Sequence, residues 1–192
     1  IMCWGSDEDH DTTATETMLA MESKGFTFNI EKCKFKQLST VFFNRLMNGY
    51  GIQPTEESIK ALAQAQRPGS QSETKSFLGV VNWHTSFIEH LATQAQPLTT
   101  LVKAKRFLWT QEHETAFKQL KTSLMSKPLK HFNVTWETKL YVDASPIGFG
   151  CVLVQIDPET GWVHVCFYGS RLANEVESRY SHVEKEFLAC KW

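Results

Sequence analysis

Apolar residues in the middle of the chain recur at helical intervals. Ser72 can open a helix that runs to about residue 91 and keeps its apolar residues on one side. These residues are Phe77, Leu78, Val81, Ile88 and Leu91. Pro97 is expected to interrupt the following stretch, and Thr110 can cap a further helix. The inward face of that helix would consist of Ala116, Phe117, Leu120 and Leu124.

The pattern before residue 72 is mixed. Residues 1–5 and the alternating apolar residues at 26, 28 and 30 predict strands, separated by a helix that ends at Gly25. Asn48 and Gly49 form a strong turn dipeptide and predict a hairpin between the apolar runs on either side. Thr55 can cap a short helix to about residue 66, with Ile59, Leu62 and Ala63 on its inward side.

After residue 139 the spacing changes to the alternation typical of strands. Three strands are predicted, at residues 139–144, 149–155 and 162–168, with turns between them. Ser181 and Glu184 have the spacing of a capping box, so a helix is expected to begin there. The sequence therefore predicts an α+β protein. A linker near residues 126–139 would separate its helical part from a β-meander that leads into a helix.

Composition and charge narrow the class of protein. No apolar run approaches the roughly 18 residues that a membrane span needs. The five cysteines form no CxxC pair, which favours a reduced, intracellular protein. Residues 60–130 contain ten Lys or Arg, four Glu and no Asp, a formal charge of +6. This basic segment indicates either a polyanionic partner or a set of solvated helix faces.

Asp143 and Glu186 are candidate metal ligands. Asp143 is expected in the middle of a strand, and the helical spacing around Glu186 would turn it inward and Lys185 outward. An inward carboxylate costs free energy unless it is paired or holds a metal. Paired carboxylates that hold Mg²⁺ are typical of phosphodiester chemistry. The alternative is that Asp143 caps the turn at Ser145 and that Glu186 lies in water.

A second candidate site lies on the outer side of the helix predicted from Ser72. Lys75, Gly79 and Trp83 fall at i, i+4 and i+8, opposite the apolar stripe. A lysine for phosphate, a glycine for clearance and an indole for stacking together predict a nucleic-acid-binding face. In the alternative interpretation, Trp83 packs against another element of the same fold.

Several stretches of the chain together resemble one known protein family. They are residues 25–35, 51–54, 76–83, 87–88, 97–99, 107–109, 116–121, 141–145, 148–155, 168–171 and 180–189. In order and spacing, nearly end to end, they resemble the Pol polyprotein of gypsy-like long-terminal-repeat (LTR) retrotransposons. Residues 42–44 and 84–86 depart from the pattern of that family. The second departure removes basic residues and weakens the expected binding of a duplex.

The resemblance implies an architecture in three parts. Residues 1–54 would be the C-terminal part of a reverse-transcriptase palm with a primer-grip-like hairpin. Residues 55–136 would be the thumb and connection. Residues 137–192 would be the N-terminal part of a ribonuclease H-like α/β domain, with three antiparallel strands and the first helix. The polymerase aspartates would precede residue 1, and the later nuclease carboxylates would follow residue 192.

The resemblance also implies roles for the candidate residues. Asp143 and Glu186 match the first two catalytic, Mg²⁺-binding carboxylates of the ribonuclease H domain. Lys75, Gly79 and Trp83 match a helix that follows the minor groove of a template–primer duplex or RNA–DNA hybrid. The parent would be an RNA-directed DNA polymerase with a ribonuclease H. It would be intracellular, in a cytoplasmic particle or the nucleus, not secreted, and without a membrane partner.

We expect this chain by itself neither to polymerise nor to cleave, because both sets of carboxylates would be incomplete. The expected partners are a nucleic-acid duplex and the remainder of the Pol polyprotein. One alternative is a non-catalytic module that binds nucleic acid or another protein. Another is a free-standing nuclease, which would need carboxylates from a partner chain.

Overall fold

A computed structural model describes residues 2–3, 5, 7–124 and 128–192, with the side chains of residues 7 and 8 excepted. The helices are α1 (Asp7–Glu22), α2 (Glu56–Gln64), α3 (Gln71–Trp83), α4 (Leu91–Lys103), α5 (Gln111–Ser123) and α6 (His182–Lys191). The strands are β1 (Ser39–Phe42), β2 (Arg45–Asn48), β3 (Gly51–Pro54), β4 (Glu137–Ala144), β5 (Gly148–Ile156) and β6 (Val163–Leu172). Short 3₁₀ helices lie at Ile30–Lys32, Thr85–Phe87 and Glu177–Arg179. The predicted α+β class is confirmed.

The first sheet is an antiparallel meander in the order β1-β2-β3. Asn48 pairs with Gly51, so the predicted hairpin is confirmed, with its turn one residue later than predicted, at Gly49 and Tyr50. The apolar run before it is split, however, by a second turn at Phe43 and Asn44. Both residues have positive φ, 47° and 56°, a conformation that a phenylalanine seldom adopts. The sequence pattern gave no sign of this turn for that reason.

The N-terminal predictions are partly wrong. Met2 and Cys3 are not in a strand, and residues 1 and 4 lie outside the described part of the chain. The predicted helix is present as α1, and Gly25 follows it with φ 84°. Residues 26–30 form no strand, and Phe26 and Ile30 are exposed. Alternation alone does not make a strand, because the backbone groups of a strand need a neighbour to pair with.

The helical core is built on α3, α4 and α5. The helix predicted for residues 72–91 begins instead after Ser70, whose hydroxyl accepts from the Glu73 amide at 3.2 Å, and it ends at Trp83. The predicted apolar stripe is nevertheless buried in full, because the 3₁₀ helix Thr85–Phe87 continues it into the same core. The inward face predicted for α5 is also buried, and the Phe77 and Phe117 rings lie 4.8 Å apart.

Two details of the helical region differ from the prediction. Pro97 does not interrupt the chain but lies inside α4. Proline deprives the carbonyl of Thr93 of its helical donor, and Thr93 is exposed to solvent. In α2, Thr55 caps the helix and Leu62 is buried as expected, but Ala63 is exposed. None of the helices in the described part of the chain is long and apolar enough to cross a membrane.

The second sheet confirms the predicted meander, with strands longer than predicted and the order β4-β5-β6. The capping box that begins α6 is also confirmed: the Glu184 amide donates to the Ser181 hydroxyl at 3.3 Å, and the Ser181 amide donates to the Glu184 carboxylate at 2.8 Å. Helix α6 packs on this sheet through Ala189, which is buried with Ala144 and Phe149.

The predicted linker near residues 126–139 joins the two sheets instead of separating two parts; residues 125–127 lie outside the description. Leu129 is buried and exchanges two backbone hydrogen bonds with Ile52, of 2.8 and 2.9 Å. The amide of Lys130 donates to the carbonyl of Val165 at 2.8 Å. Gly51 permits this crossing, because a Cβ there would overlap the carbonyl oxygen of Leu129.

The second sheet also packs directly on the helical core. Val165 and Tyr168 of β6 contact the apolar cluster of the helices. At the start of α4, the amide of Ala92 donates to the hydroxyl of Ser170 at 2.8 Å. These contacts fix the position of the β4–β6 sheet relative to the helices, so the two candidate sites have a defined spatial relation.

Candidate nucleic-acid and metal-binding sites

The outer face of α3, defined here as Lys75, Gly79, Val80 and Trp83, is exposed to solvent. Trp83 is 51% exposed, which leaves much of its indole without a partner in the fold. A Cβ at Gly79 would meet no atom within 4 Å, so the backbone here can be approached closely. The opposite side of the helix is buried at Thr74, Phe77, Leu78 and Val81.

A basic segment lies beside the first turn of α3. Lys103, Lys105 and Arg106 are exposed at the end of α4 and just after it. The side-chain amide of Gln71 donates to the carbonyls of Leu101 and Ala104 and holds this segment against α3. The sequence predicted the basic segment but gave no sign of the contact that fixes it.

Buried polar groups follow the exposed tryptophan, in the stretch 84–86 where the sequence departs from the family pattern. His84 is 2% exposed, and burial, helped by the positive charge of Arg45, lowers its pKa. The guanidinium of Arg45 lies 5.5 Å from the centre of the Phe87 ring. His84 Nδ1, Ser86 Oγ and Arg45 Nε have no hydrogen-bond partner among the described residues. His84 and Ser86 therefore belong to the interior of the protein, away from the outer face of α3.

The first candidate metal ligand, Asp143, lies near the end of β4 and is exposed. Its neighbours Val142 and Ala144 pack against α6, whereas Asp143 and Tyr141 are exposed. The carboxylate of Asp143 makes no hydrogen bond or ion pair with any described residue, whereas its backbone pairs with Gly150 in the sheet. It is a solvated carboxylate at the end of a strand that packs on α6.

The second candidate ligand, Glu186, is not turned inward as predicted. Its side chain is 42% exposed, and its carboxylate lies 3.4 Å from Nε2 of His182. Lys185, predicted to point outward, is 6% exposed, and Phe187 is 73% exposed. The prediction was wrong because α6 meets the sheet along Lys185, Leu188 and Ala189. Glu186 is therefore at the flank of the contact.

Lys185 is thus a buried residue that the sequence interpretation missed. Its ammonium donates to the carbonyl of Pro146 at 3.2 Å and to the carbonyl of Ser178 at 3.0 Å. A lysine between two glutamates in a helix is ordinarily read as part of a solvated face, so the sequence carried no signal for this role.

The connection from β6 to α6 is held by a bidentate ion pair. The guanidinium of Arg171 donates to both carboxylate oxygens of Glu177, at 2.7 and 2.9 Å. This contact, helped by the amide of Asn174, lowers the pKa of Glu177. The same guanidinium lies 4.5 Å from the ring centre of Phe149 and 5.6 Å from that of Trp192. The pair anchors the connection to β5, β6 and the end of α6.

The two carboxylates are suitable oxygen donors for Mg²⁺, which retains several waters and is often held by one or two carboxylates. Within the described residues, however, no group of three or more His, Cys, Asp or Glu side chains comes together as a metal site. The role of Asp143 and Glu186 as metal ligands therefore stays a prediction.

Comparison with known proteins defines the class. Residues 109–192 match the family model described as an RNase H-like domain found in reverse transcriptase. The match begins at Trp109, before α5. The fold resembles the foamy viral protease-reverse transcriptase in complex with an RNA/DNA hybrid, with a TM-score of 0.76, 17% identity, and coverage of 99% of this chain and 26% of that one. A foamy viral protease-reverse transcriptase in complex with double-stranded DNA gives a TM-score of 0.75, with 17% identity and coverage of 98% and 33%.

The chain is also similar to curated retrotransposon polyproteins. The chain is 28% identical over 186 residues to the transposon Tf2-3 and Tf2-4 polyproteins of Schizosaccharomyces pombe, which covers 96% of this chain. It spans about 14% of the length of these relatives. The predicted resemblance to LTR-retrotransposon Pol is confirmed by these relatives, and the fold resembles that of foamy viral protease-reverse transcriptases.

Proposed function

We propose that this chain supplies a duplex-binding surface and two Mg²⁺-binding carboxylates to a retrotransposon reverse transcriptase with ribonuclease H. The observation that carries the proposal is the outer face of α3, where Lys75, Gly79 and Trp83 form an exposed line along one side of the helix. The duplex would be an RNA–DNA hybrid or a template–primer. The remainder of the Pol polyprotein would be the protein partner, in an intracellular particle or the nucleus.

The physical properties of this face support the proposal. An ammonium at Lys75 would attract a phosphate, and the absence of a side chain at Gly79 would let a sugar–phosphate backbone approach. An indole that is half exposed at Trp83 can stack on a sugar or base. Two of the similar structures hold an RNA/DNA hybrid or double-stranded DNA, and a duplex is the ligand we propose here.

The three-part assignment of the chain is part of the same proposal. Residues 1–54 would act as the end of a palm, with the Asn48–Gly49 hairpin at the primer end. Residues 55–136 would act as thumb and connection, and residues 137–192 as the start of the nuclease domain. The packing of β6 on the helices supports a fixed spacing between the duplex-binding face and the nuclease carboxylates.

Asp143 and Glu186 would hold Mg²⁺ together with carboxylates from elsewhere in the polyprotein. Bound Mg²⁺ would activate water and stabilise the leaving oxygen during cleavage of the RNA strand. The roles of the protein side chains are to hold the cation and to fix its place relative to the duplex. We expect the isolated chain to show no turnover in primer-extension assays or in hybrid-cleavage assays with Mg²⁺. Turnover in either assay would contradict this expectation.

The duplex-binding proposal is tested by measuring the affinity of the chain for a labelled RNA–DNA hybrid by fluorescence anisotropy. Loss of one stacked indole costs about 1–3 kcal/mol, so Trp83→Ala should weaken binding by about fivefold or more. Trp162→Ala is the matched control, because Trp162 is also exposed but lies before β6. The affinity should fall as salt rises. Equal affinities for the Trp83 and Trp162 variants would exclude the outer face of α3 as the binding surface.

A further inference from the structure

The buried polar residue on the sheet side of α6 is a lysine whose two partners are backbone carbonyls. Lys185 is 6% exposed, and its Nζ atom lies 3.2 Å from the oxygen of Pro146 and 3.0 Å from that of Ser178. A buried ammonium is costly unless hydrogen bonds replace its hydration. The lysine and the two carbonyls therefore hold each other in place.

Lys185 and one of its two partners, Pro146, belong to the segments that carry the candidate carboxylates. Pro146 lies three residues after Asp143, in the turn from β4 to β5. The hydroxyl of Ser145 accepts from the amide of Gly148 at 3.0 Å and so keeps this turn tight. Lys185 itself directly precedes Glu186 in α6. One ammonium therefore connects the turn after Asp143 with the helical turn that carries Glu186.

The segment that contains Ser178 is also held by contacts that do not involve Lys185. Ser178 lies in the 3₁₀ helix Glu177–Arg179, which the ion pair between Arg171 and Glu177 ties to β6. The amide of Asn174 also donates to the carboxylate of Glu177, at 2.8 Å. The amide of Ala173, at the start of this connection, donates to the carbonyl of Ile147 in the β4–β5 turn at 2.9 Å. The contact of Lys185 with Pro146 adds the side-chain hydrogen bond that links the same turn to α6.

We propose that Lys185 is a positioning residue that fixes the end of β4, and with it Asp143, relative to Glu186. The inference rests on the metal-binding role proposed above for these two carboxylates. Lys185 touches neither carboxylate and acts through the backbone of the β4–β5 turn. Mg²⁺ requires near-ideal ligand geometry, so a small shift between the two elements would weaken its binding.

The test uses the full 192-residue chain and the variants Lys185→Met, Lys185→Arg and Lys191→Met. Methionine keeps the length of the side chain but removes its donors, whereas arginine keeps the charge and donors. Lys191 is exposed in the last turn of the same helix and serves as the matched control. NMR measures Mn²⁺-induced broadening of the Asp143 and Glu186 signals and, without metal, hydrogen exchange of the Gly148 amide.

We expect Lys185→Met to weaken Mn²⁺ binding by about tenfold, as changes behind metal ligands commonly do. Exchange at Gly148 should accelerate by a similar factor, Lys185→Arg should recover part of both effects, and Lys191→Met should match the wild type. The inference is overturned if Lys185→Met and Lys191→Met behave alike in both measurements. It is overturned equally if exchange at Gly148 changes but Mn²⁺ affinity does not, since Lys185 would then be structural alone.

The same experiment distinguishes failure of the proposed metal site from failure of the Lys185 inference. If Mn²⁺ broadens neither carboxylate signal in the wild type, the metal role of the pair is overturned, and exchange at Gly148 then decides whether Lys185 fixes the two elements. If Lys185→Met does not fold, the NMR signals of the lysine ammonium groups in the wild-type chain decide whether Lys185 fixes the two elements. The Lys185 ammonium protons should exchange with water far more slowly than those of Lys191. Equal exchange rates would overturn the inference.

Discussion

Helices α3 and α6 are both short, both are capped by a serine, and each has an exposed aromatic residue on one side. They nevertheless pack in different ways. Helix α3 buries a continuous stripe of Thr74, Phe77, Leu78 and Val81. Helix α6 buries Lys185 and Ala189. The first is oriented by large apolar side chains, and the second by a small contact and two hydrogen bonds from a lysine.

This difference explains why the sequence oriented one helix correctly and the other wrongly. In α3 the apolar residues define a single direction, so the outward position of Lys75, Gly79 and Trp83 followed directly. In α6 apolar residues occur all round the helix, and the most exposed of them include Val183 and Phe187. Without a dominant stripe, the rotation of a short helix depends on its polar partners in the tertiary structure.

The largest expected effect is on stability when an inward aromatic residue of α3 is truncated. Phe77→Ala should lower the free energy of unfolding by about 3–5 kcal/mol, because it opens a cavity against Phe117. Phe187→Ala in α6 is the matched control and should change it by roughly 0.5 kcal/mol or less, as Phe187 is 73% exposed. Urea unfolding measures both. A comparable loss in the two variants would remove the contrast between the helices.

A smaller effect is expected from the N-caps, where the two helices should behave alike. Ser70→Ala and Ser181→Ala each remove a hydroxyl that accepts a helix amide and should each cost about 1 kcal/mol in urea unfolding. A much larger loss for Ser70→Ala would show that α3, too, depends on local contacts rather than on its apolar stripe.

The cap of α6 should also make stability depend on pH. Hydrogen bonds from the backbone amide and then the hydroxyl of Ser181 lower the pKa of Glu184. A lowered carboxyl pKa means that the unfolded chain binds its proton first as the pH falls, so this stabilisation is present above the ordinary pKa of glutamate and is lost in more acidic solution. Urea unfolding between neutral and acidic pH should show this loss, and Ser181→Ala should reduce it. An unchanged pH profile in that variant would contradict the assignment.

The variant with the smallest expected effect on stability is Gly79→Ala in α3, and it distinguishes a role in folding from a role in binding. Gly79→Ala should stabilise the chain by up to about 1 kcal/mol, because alanine favours the helix and its Cβ meets open space. The same methyl group should weaken hybrid binding if a duplex backbone approaches there. Thermal unfolding and fluorescence anisotropy on this variant measure the two effects. Unchanged or tighter binding would argue against a close approach at Gly79.

Local sequence patterns predicted much of the fold, and each wrong or missing prediction has a particular physical cause. The β4–β6 meander, the Asn48–Gly49 hairpin and the burial of the α3 and α5 stripes were all predicted. The turn at Phe43 was missed because a phenylalanine seldom adopts the positive φ that it has there. The strand predicted at residues 26–30 is absent because no described strand lies beside that segment to pair with it.

The sequence by itself determined most of the helices, the β4–β6 meander, the inward side of α3 and the resemblance to retrotransposon Pol, because apolar spacing and local motifs act over a few residues. The tertiary structure decided that residues 129–130 join the two sheets. It also decided that Lys185 is buried and Glu186 lies at the flank of α6. The partners of Lys185, Pro146 and Ser178, come from separate segments, and no local pattern of charge or spacing encodes such a meeting.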